Sequence, residues 1–276
     1  MSAVLESIAA EPPRCPVCEG EAESFREAHH PNLYACLRCA LGFVHPRPMP
    51  GDHRTFDPLE FRPTRCDSYN VPLRAPGMFS RLRKHIAWRV DQGLSLCNVI
   101  EETLPERGAI LGIAGADGAL RKELAARGHR VTGVAGDVRS TSLELGSCDG
   151  VVFSHVVEHL ADPVKALSDA AALLKPSGLL FCEVPNNESV IARQSGRTWE
   201  HLGLPRHINF FTERSLVALV RSAGLVLRRV YFSGYGRCFD DSQAATWRLL
   251  ARTVLAYPRF KYDSVGIVAG WPPALM

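Results

Sequence analysis

From Gly108 to the end of the chain, short apolar runs alternate with amphipathic segments of helical period. AILGIA (109–114) is a strand-length apolar run ending in a small-residue loop, and ALRKELAARG (119–128) predicts a helix closed by Gly128. RVTGVAG (130–136) and GVVFSHV (150–156) predict two more strands. DPVKALSDAAALLKPSG (162–178) predicts a helix with Asp162 as N-cap, Pro163 in its first turn and a Pro/Gly stop. GLLFCEVP (178–185) predicts a strand, ERSLVALVRSAG (213–224) a helix ending at Gly224, and VLRRVYFSG (226–234) another strand. A helix around Gln243–Ala256 and a final strand SVGIVAG (264–270) complete the series. Alternating strands and helices imply an α/β fold, a mostly parallel sheet with helices on both faces.

Upstream the pattern differs. Phe79, Leu82, Ile86, Val90 and Leu94 recur at helical spacing, which predicts a helix running to Glu102. Residues 51–76 are rich in Pro, Arg and Asp with little periodicity, as in a linker or extended wrap, and residues 1–14 read as a lead-in. The chain therefore divides into 1–50, a linker and helix over 51–105, and the alternating unit over 106–276. Hydrophobic residues are 46% and charged residues 22% of the chain, enough for a core of ordinary size. A net charge of +3 is too mild to imply a nucleic-acid partner. No apolar run approaches the ~18 residues of a membrane span. The N-terminus lacks the basic and apolar regions of a secretory signal, so a cytoplasmic protein without membrane attachment is expected.

Cysteine use changes the picture for the first fifty residues. Cys15-Pro-Val-Cys18 and Cys36-Leu-Arg-Cys39 are separated by 17 residues, a spacing that lets four thiolates close on one tetrahedral zinc ion. A unit this short buries too little apolar surface to fold alone, so zinc would supply the folding energy of a small zinc ribbon. His29, His30 and His45 are not needed as ligands. Such a closed site is structural and suits docking of a protein partner or scaffolding. The other five of the nine cysteines (Cys66, Cys97, Cys148, Cys182 and Cys238) are scattered, and an odd total argues against a disulfide framework.

CDGVVFSHVVEHLADPVKALSDAAALLKPSGLLFCEVPN (148–186) resembles the central block of class I S-adenosylmethionine-dependent methyltransferases, in particular the branch that carries an N-terminal zinc ribbon. HINFFTERSLVALVRSAGLVL and the ribbon exit CALGFVHPRP are similar to the same branch. The resemblance implies a Rossmann-like domain that binds S-adenosylmethionine beyond the carboxyl ends of its strands. It places Gly112, Ala114, Gly115, Asp117 and Gly118 in the first cofactor loop, Asp137 after the second strand, and Ser154 at the end of VVFS. The family pattern, an acidic residue followed by Gly-x-Gly-x-Gly, is altered here. Gly112 occupies the acidic position, Ala114 and Ala116 replace two glycines, and only Gly118 stands in register. Ala135 stands where the ribose-binding acid is expected, with Asp137 two residues on. About a dozen residues separate Asp137 from Asp149, where the family fits a helix and a strand. Two outcomes follow: a working methyltransferase for a small-molecule acceptor such as a sugar or biosynthetic intermediate, or an inactive methyltransferase-like scaffold without cofactor.

His155-Val-Val-Glu158-His159 matches the HxxEH pattern of inverted zinc proteases, but it follows an apolar strand directly instead of lying within a helix. Ubiquinone-pathway O-methyltransferases and small-RNA 2′-O-methyltransferases carry a Glu-x-x-Glu-His segment at this place and bind a divalent ion. By that resemblance His155 replaces the first glutamate, Glu158 and His159 match, and His207 is the candidate for a later histidine. A divalent ion at His155, Glu158 and His159 would lower the pKa of an acceptor hydroxyl. Without an ion, His155 or His207 would serve as general base. The same residues also suit a structural role, with Glu158 bonding backbone amides and His159 set in a polar network. The expected catalytic set is thus His155, Glu158, His159 and His207, and the zinc set is Cys15, Cys18, Cys36 and Cys39.

Overall fold

The computed structural model describes residues 13–24, 32–47, 96–104, 106–113, 118–134, 138, 141–195, 199, 202, 206–233 and 263–273. Among these residues the chain forms two sheets. The larger has six strands: β4 (Ala109–Ile113), β5 (Arg130–Val134), β6 (Cys148–Ser154), β7 (Leu174–Pro185), β9 (Val226–Ser233) and β10 (Ser264–Gly270), in the spatial order β5-β4-β6-β7-β10-β9. The pairs β4–β5, β4–β6 and β6–β7 are parallel. The last strand, β10, slots antiparallel between β7 and β9. The order runs from β4 outward to β5 and then back across to β6, so the switch in direction falls beside β4. This is where an open α/β sheet leaves a crevice at its carboxyl edge.

Period-two alternation explains the layering. Leu111, Val151, Phe153, Leu180, Cys182, Val265 and Ile267 pack on one face, with residues of α3 (Pro163–Ala171) and α5 (Glu213–Ser222). Ile110, Val152, Phe181 and Val268 point to the other, with α1 (Leu96–Thr103) and α2 (Gly118–Ala126). Both faces are covered, so central strands such as β10 read as continuous apolar runs and are buried throughout. The helix starts follow the sequence. Asp162 Oδ1 accepts the Lys165 amide at 2.9 Å with Pro163 next in line, and Thr212 and Ser215 form a reciprocal capping box at the head of α5. A short helix, α4 (Val190–Ser195), follows β7.

The smaller sheet is β1 (Ala22–Ser24), β2 (Leu33–Cys36), β3 (Gly42–Val44) and β8 (Asn209–Phe210), each antiparallel to the next. Its last strand is donated by the chain between β7 and α5, which stitches the cysteine-bearing segment to the larger unit. Cys15, Val17, Leu41 and Phe43 accordingly share one apolar cluster with Phe211, Leu216 and Val220.

The shortened stretch before Asp149 has a direct structural consequence. Among the described residues no strand lies between β5 and β6, and β5 is the edge of the sheet. The helix expected from Phe79 is described only from Leu96, and the helix around Gln243–Ala256 lies outside the described residues, as do Cys66 and Cys238. Strand β7 starts earlier than expected, at Leu174. No helix among the described residues is long and apolar enough to cross a membrane.

Candidate functional site

The four cysteines of the ribbon converge. Each knuckle places its second cysteine before a left-handed residue, Glu19 at φ 58° and Ala40 at φ 62°, which turns the chain back over its sulfurs. The Val17 and Cys39 amides point at the Cys15 and Cys36 sulfurs, at 3.5 and 3.4 Å. Cys15 and Cys39 sulfurs are 3.6 Å apart and those of Cys18 and Cys36 3.5 Å, with all four inside 4.8 Å of one another. Sulfurs at tetrahedral Zn–S bonds of about 2.3 Å lie roughly 3.8 Å apart, so the cage fits that ion. All four are free thiols. The hydrogen bond from Cys39 pulls the Cys15 thiol below its ordinary value, the direction that a metal-binding sulfur needs. A Cβ at Gly20 would lie 2.8 Å from the Arg38 Cβ and 3.3 Å from two of the sulfurs, so the closed knuckle has room only for glycine there.

The second cluster lies at the carboxyl edge of the large sheet. Strand β6 ends at Ser154, and the chain turns sharply at His155, whose φ is 53°, into a single 3-10 turn, Val157–His159. That turn puts Glu158 and His159 together, while the segment leading into β8 brings His207 against them. The His159 and His207 rings meet edge to face with centroids 4.6 Å apart. One ligand atom from each of Glu158, His159 and His207 lies within 4.8 Å of the others. Glu158 is 1% exposed; its carboxylate makes no well-formed hydrogen bond and has His155 as its ionic partner. His159 Nδ1 lies 3.1 Å from the Arg206 carbonyl, which can only accept, so Nδ1 carries the proton and Nε2 keeps its lone pair.

His155 joins differently from expectation. Its Nδ1 is 3.5 Å from Glu158 and its Nε2 is 3.7 Å from Glu183. The convergent trio is completed by His207, and His155 instead lies between two buried carboxylates. Burial opposes its charge, but the two glutamates prevail and raise it to about 10. Burial pushes Glu158 up, and His155 more than reverses this, bringing it to about 2. Burial lowers His159 to about 4, so its ring is neutral at physiological pH.

Of the residues expected around the cofactor, Gly112 is buried within β4, in register with Gly133 and Val152. Gly118 opens α2, and Ser154, 7% exposed, closes β6 opposite Glu183. Ala114, Gly115, Asp117 and Asp137 lie outside the described residues. The carboxyl ends of β4, β5 and β6 nonetheless form one edge beside the switch point.

Comparison with known proteins matches a methyltransferase-domain family over residues 87–230, just over half of the chain. The ubiquinone biosynthesis O-methyltransferase of Cereibacter sphaeroides is 32% identical over 194 residues, covering 63% of this chain and 75% of that protein. The ubiquinone biosynthesis O-methyltransferase of Roseobacter denitrificans is 32% identical over 136 residues, covering 44% and 55%. The chain belongs to the class I S-adenosylmethionine-dependent methyltransferases. Among solved structures, a 1,6-didemethyltoxoflavin N1-methyltransferase of Burkholderia thailandensis with bound S-adenosylhomocysteine is 16% identical, with a TM-score of 0.40, covering 72% of this chain and 92% of that one.

Within this methyltransferase, two site residues escaped sequence reasoning. Glu183 is 1% exposed, faces His155 and accepts from Ser233 Oγ at 2.9 Å. Its signal was a lone acid in the apolar run LLFCEVP. Asn209 donates through Nδ2 to the carbonyls of Val157 and Leu160, at 3.0 and 2.8 Å, and so holds the turn that carries Glu158. Nothing in HINFF marked that asparagine as a brace.

Proposed function

We propose that the chain transfers a methyl group from S-adenosylmethionine to a hydroxyl oxygen of a small biosynthetic intermediate, with a divalent ion held by Glu158, His159 and His207. The observation that carries this is the convergence of one ligand atom each from Glu158, His159 and His207, within 4.8 Å of one another, at the carboxyl edge of the sheet. His155, with its Nδ1 3.5 Å away, is one cation for the Glu158 carboxylate, and the ligand atoms of His159 and His207 beside it add the donors of an ion site. The O-methyltransferase relatives favour an oxygen acceptor over nitrogen or carbon.

A bound ion supplies Lewis acidity that lowers the pKa of the acceptor hydroxyl. The protein does the rest by positioning. The crevice at β4, β5 and β6, with Gly112, Gly118 and Ser154, is the proposed cofactor site, and by sequence Ala114, Gly115, Asp117 and Asp137 are assigned to the same role. Glu158, His159 and His207 would hold the ion, and His155 keeps the Glu158 carboxylate ionised. In the ribbon, Cys15, Cys18, Cys36 and Cys39 hold a structural zinc. The proposed units are 1–50, 51–105 and 106–276, with the first joined to the third through the β3–β8 pairing. Free buried thiols suit a reducing cytoplasm.

The test has two stages. Calorimetric titration with S-adenosylhomocysteine is expected to give micromolar binding to the zinc-loaded protein. No heat at millimolar ligand would instead support the scaffold reading, and in that case Ala114→Gly with Ala116→Gly should restore binding. Labelled methyl transfer to a set of hydroxyl acceptors is then expected to require Mg2+ or Mn2+. Full activity in chelator would remove the ion from the proposal.

A further inference from the structure

The cysteine ribbon and the Glu158–His159–His207 trio are far apart in sequence, yet one side chain joins them. Arg47 leaves the ribbon two residues after His45. Its Nη2 donates to the carbonyls of Leu160 at 3.0 Å and Ala161 at 2.8 Å, and its Nε donates to Ala161 at 3.2 Å. Its Nη1 donates to the Ile208 carbonyl at 3.1 Å. One guanidinium therefore grips the end of the 3-10 turn and the residue after His207. A planar fork of five donors can hold two separate strands of chain in this way, and an ammonium cannot.

The remaining bonds converge on the same few atoms. The Ile208 carbonyl also accepts the Val44 amide of β3, at 3.0 Å, and the Ile208 amide donates to the Glu158 carbonyl at 2.9 Å. The Leu160 carbonyl is shared by Arg47 and Asn209. His159 bonds the Arg206 carbonyl. Both chain neighbours of His207 are thus pinned, one by His159, the other by the ribbon and by Glu158. The distance between His207 and the turn bearing the other two groups is fixed from the ribbon side.

We infer that Arg47 is a positioning residue, and that the ribbon, through Arg47 and the β3–β8 pairing, sets the geometry of the Glu158–His159–His207 trio and with it the affinity of that trio for a divalent cation. This rests on the ion-binding reading above. Groups that orient ligands from outside typically change metal affinity by about 10–100-fold.

The test uses the full chain with zinc loaded, Arg47→Ala and Arg47→Lys, and Co2+ as the probe ion. Calorimetry is expected to show Co2+ binding to the trio weakened at least tenfold by Arg47→Ala. Arg47→Lys, which keeps the charge but loses the fork, is expected to weaken it as well, with one zinc per chain retained throughout. Histidine ring NMR signals supply a second readout without any ion. The mutual ring shifts of His159 and His207 should collapse in both variants. If Arg47→Ala is too unstable to measure, Arg47→Lys decides by the same two readouts. Unchanged ring signals together with unchanged Co2+ affinity overturn the inference. If the parent protein binds no Co2+, the ion reading fails by itself, and the ring signals alone decide whether Arg47 sets the trio.

Discussion

His155 carries two costs that the fold meets in different ways. Its φ of 53° is left-handed, a conformation that strains any residue with a Cβ. Its ring stands between Glu158 and Glu183, both nearly inaccessible. Removing the ring takes from two buried carboxylates the cation that they share, which costs about 3–5 kcal/mol. His155→Ala and His155→Gly both lose the ring, but glycine also relieves the backbone. The expected outcome in urea unfolding is strong destabilisation in both, with the glycine variant the more stable by about 1 kcal/mol. Equal stabilities would show that the left-handed turn is not strained. At Glu158, replacement by Gln keeps the shape and removes the charge. Ion-dependent methyl transfer is expected to fall by about 100-fold, in line with losing a ligand or its orientation, while S-adenosylhomocysteine affinity measured by calorimetry stays within about twofold.

At the scale of elements, the clearest prediction concerns the start of β6. Asp149 Oδ2 accepts the Ala109 amide at 2.8 Å and Oδ1 accepts from Lys175 at 2.7 Å, tying β4 and β7 to β6. Partial burial pushes the carboxyl up, but the Lys175 and Ala109 bonds outweigh it and hold the carboxyl below its ordinary value of 3.8. A depressed folded-state pKa contributes stability that is present in full above the unfolded value. That stability fades as pH falls through the folded value. Stability curves for the parent and Asp149→Asn should therefore differ most near neutrality and draw together in the acid range below 3.8. A gap that persists unchanged into that range would refute the linkage. Elsewhere Thr212→Ala removes the capping box of α5 and is expected to cost about 1 kcal/mol by chemical denaturation. The Asp162 cap, like the strands of the large sheet, was legible in the sequence, because propensity, period and turn residues agree locally in DPVKALSDAAALL; the Thr212 box was not read there, and the structure supplies it. The two-residue β8 was not legible, since a strand that short has no period and exists only because β3 offers it an edge. Glu183 and Arg47 were hidden for a related reason. Their partners, His155 in one case and the Leu160, Ala161 and Ile208 carbonyls in the other, come from distant parts of the chain. The clustering of the four cysteines and the Glu158–His159 pair were visible because their spacing is local.

For the whole molecule, the question is whether the ribbon is a separate folding unit. Considered alone it should be, since a closed four-cysteine site commonly brings its own folding energy. The structure argues otherwise. The four-stranded sheet takes its last strand from residues 209–210, Leu41 and Phe43 are buried in a cluster that continues into α5, and Arg47 fastens the ribbon exit to the turn after β6. Breaking the ribbon therefore exposes part of the main core, and breaking the main sheet removes a strand from the ribbon. Cooperative unfolding follows when each part loses more by opening alone than it gains in freedom. Zinc release read with a chromogenic chelator and loss of near-ultraviolet circular dichroism are expected to trace one transition on heating. Arg47→Ala should separate them, with zinc leaving first, because it removes side-chain bonds across the junction without touching a cysteine. Zinc release well ahead of the optical transition in the parent protein would mean that the ribbon melts by itself. The β3–β8 pairing would then be too weak to couple the two units.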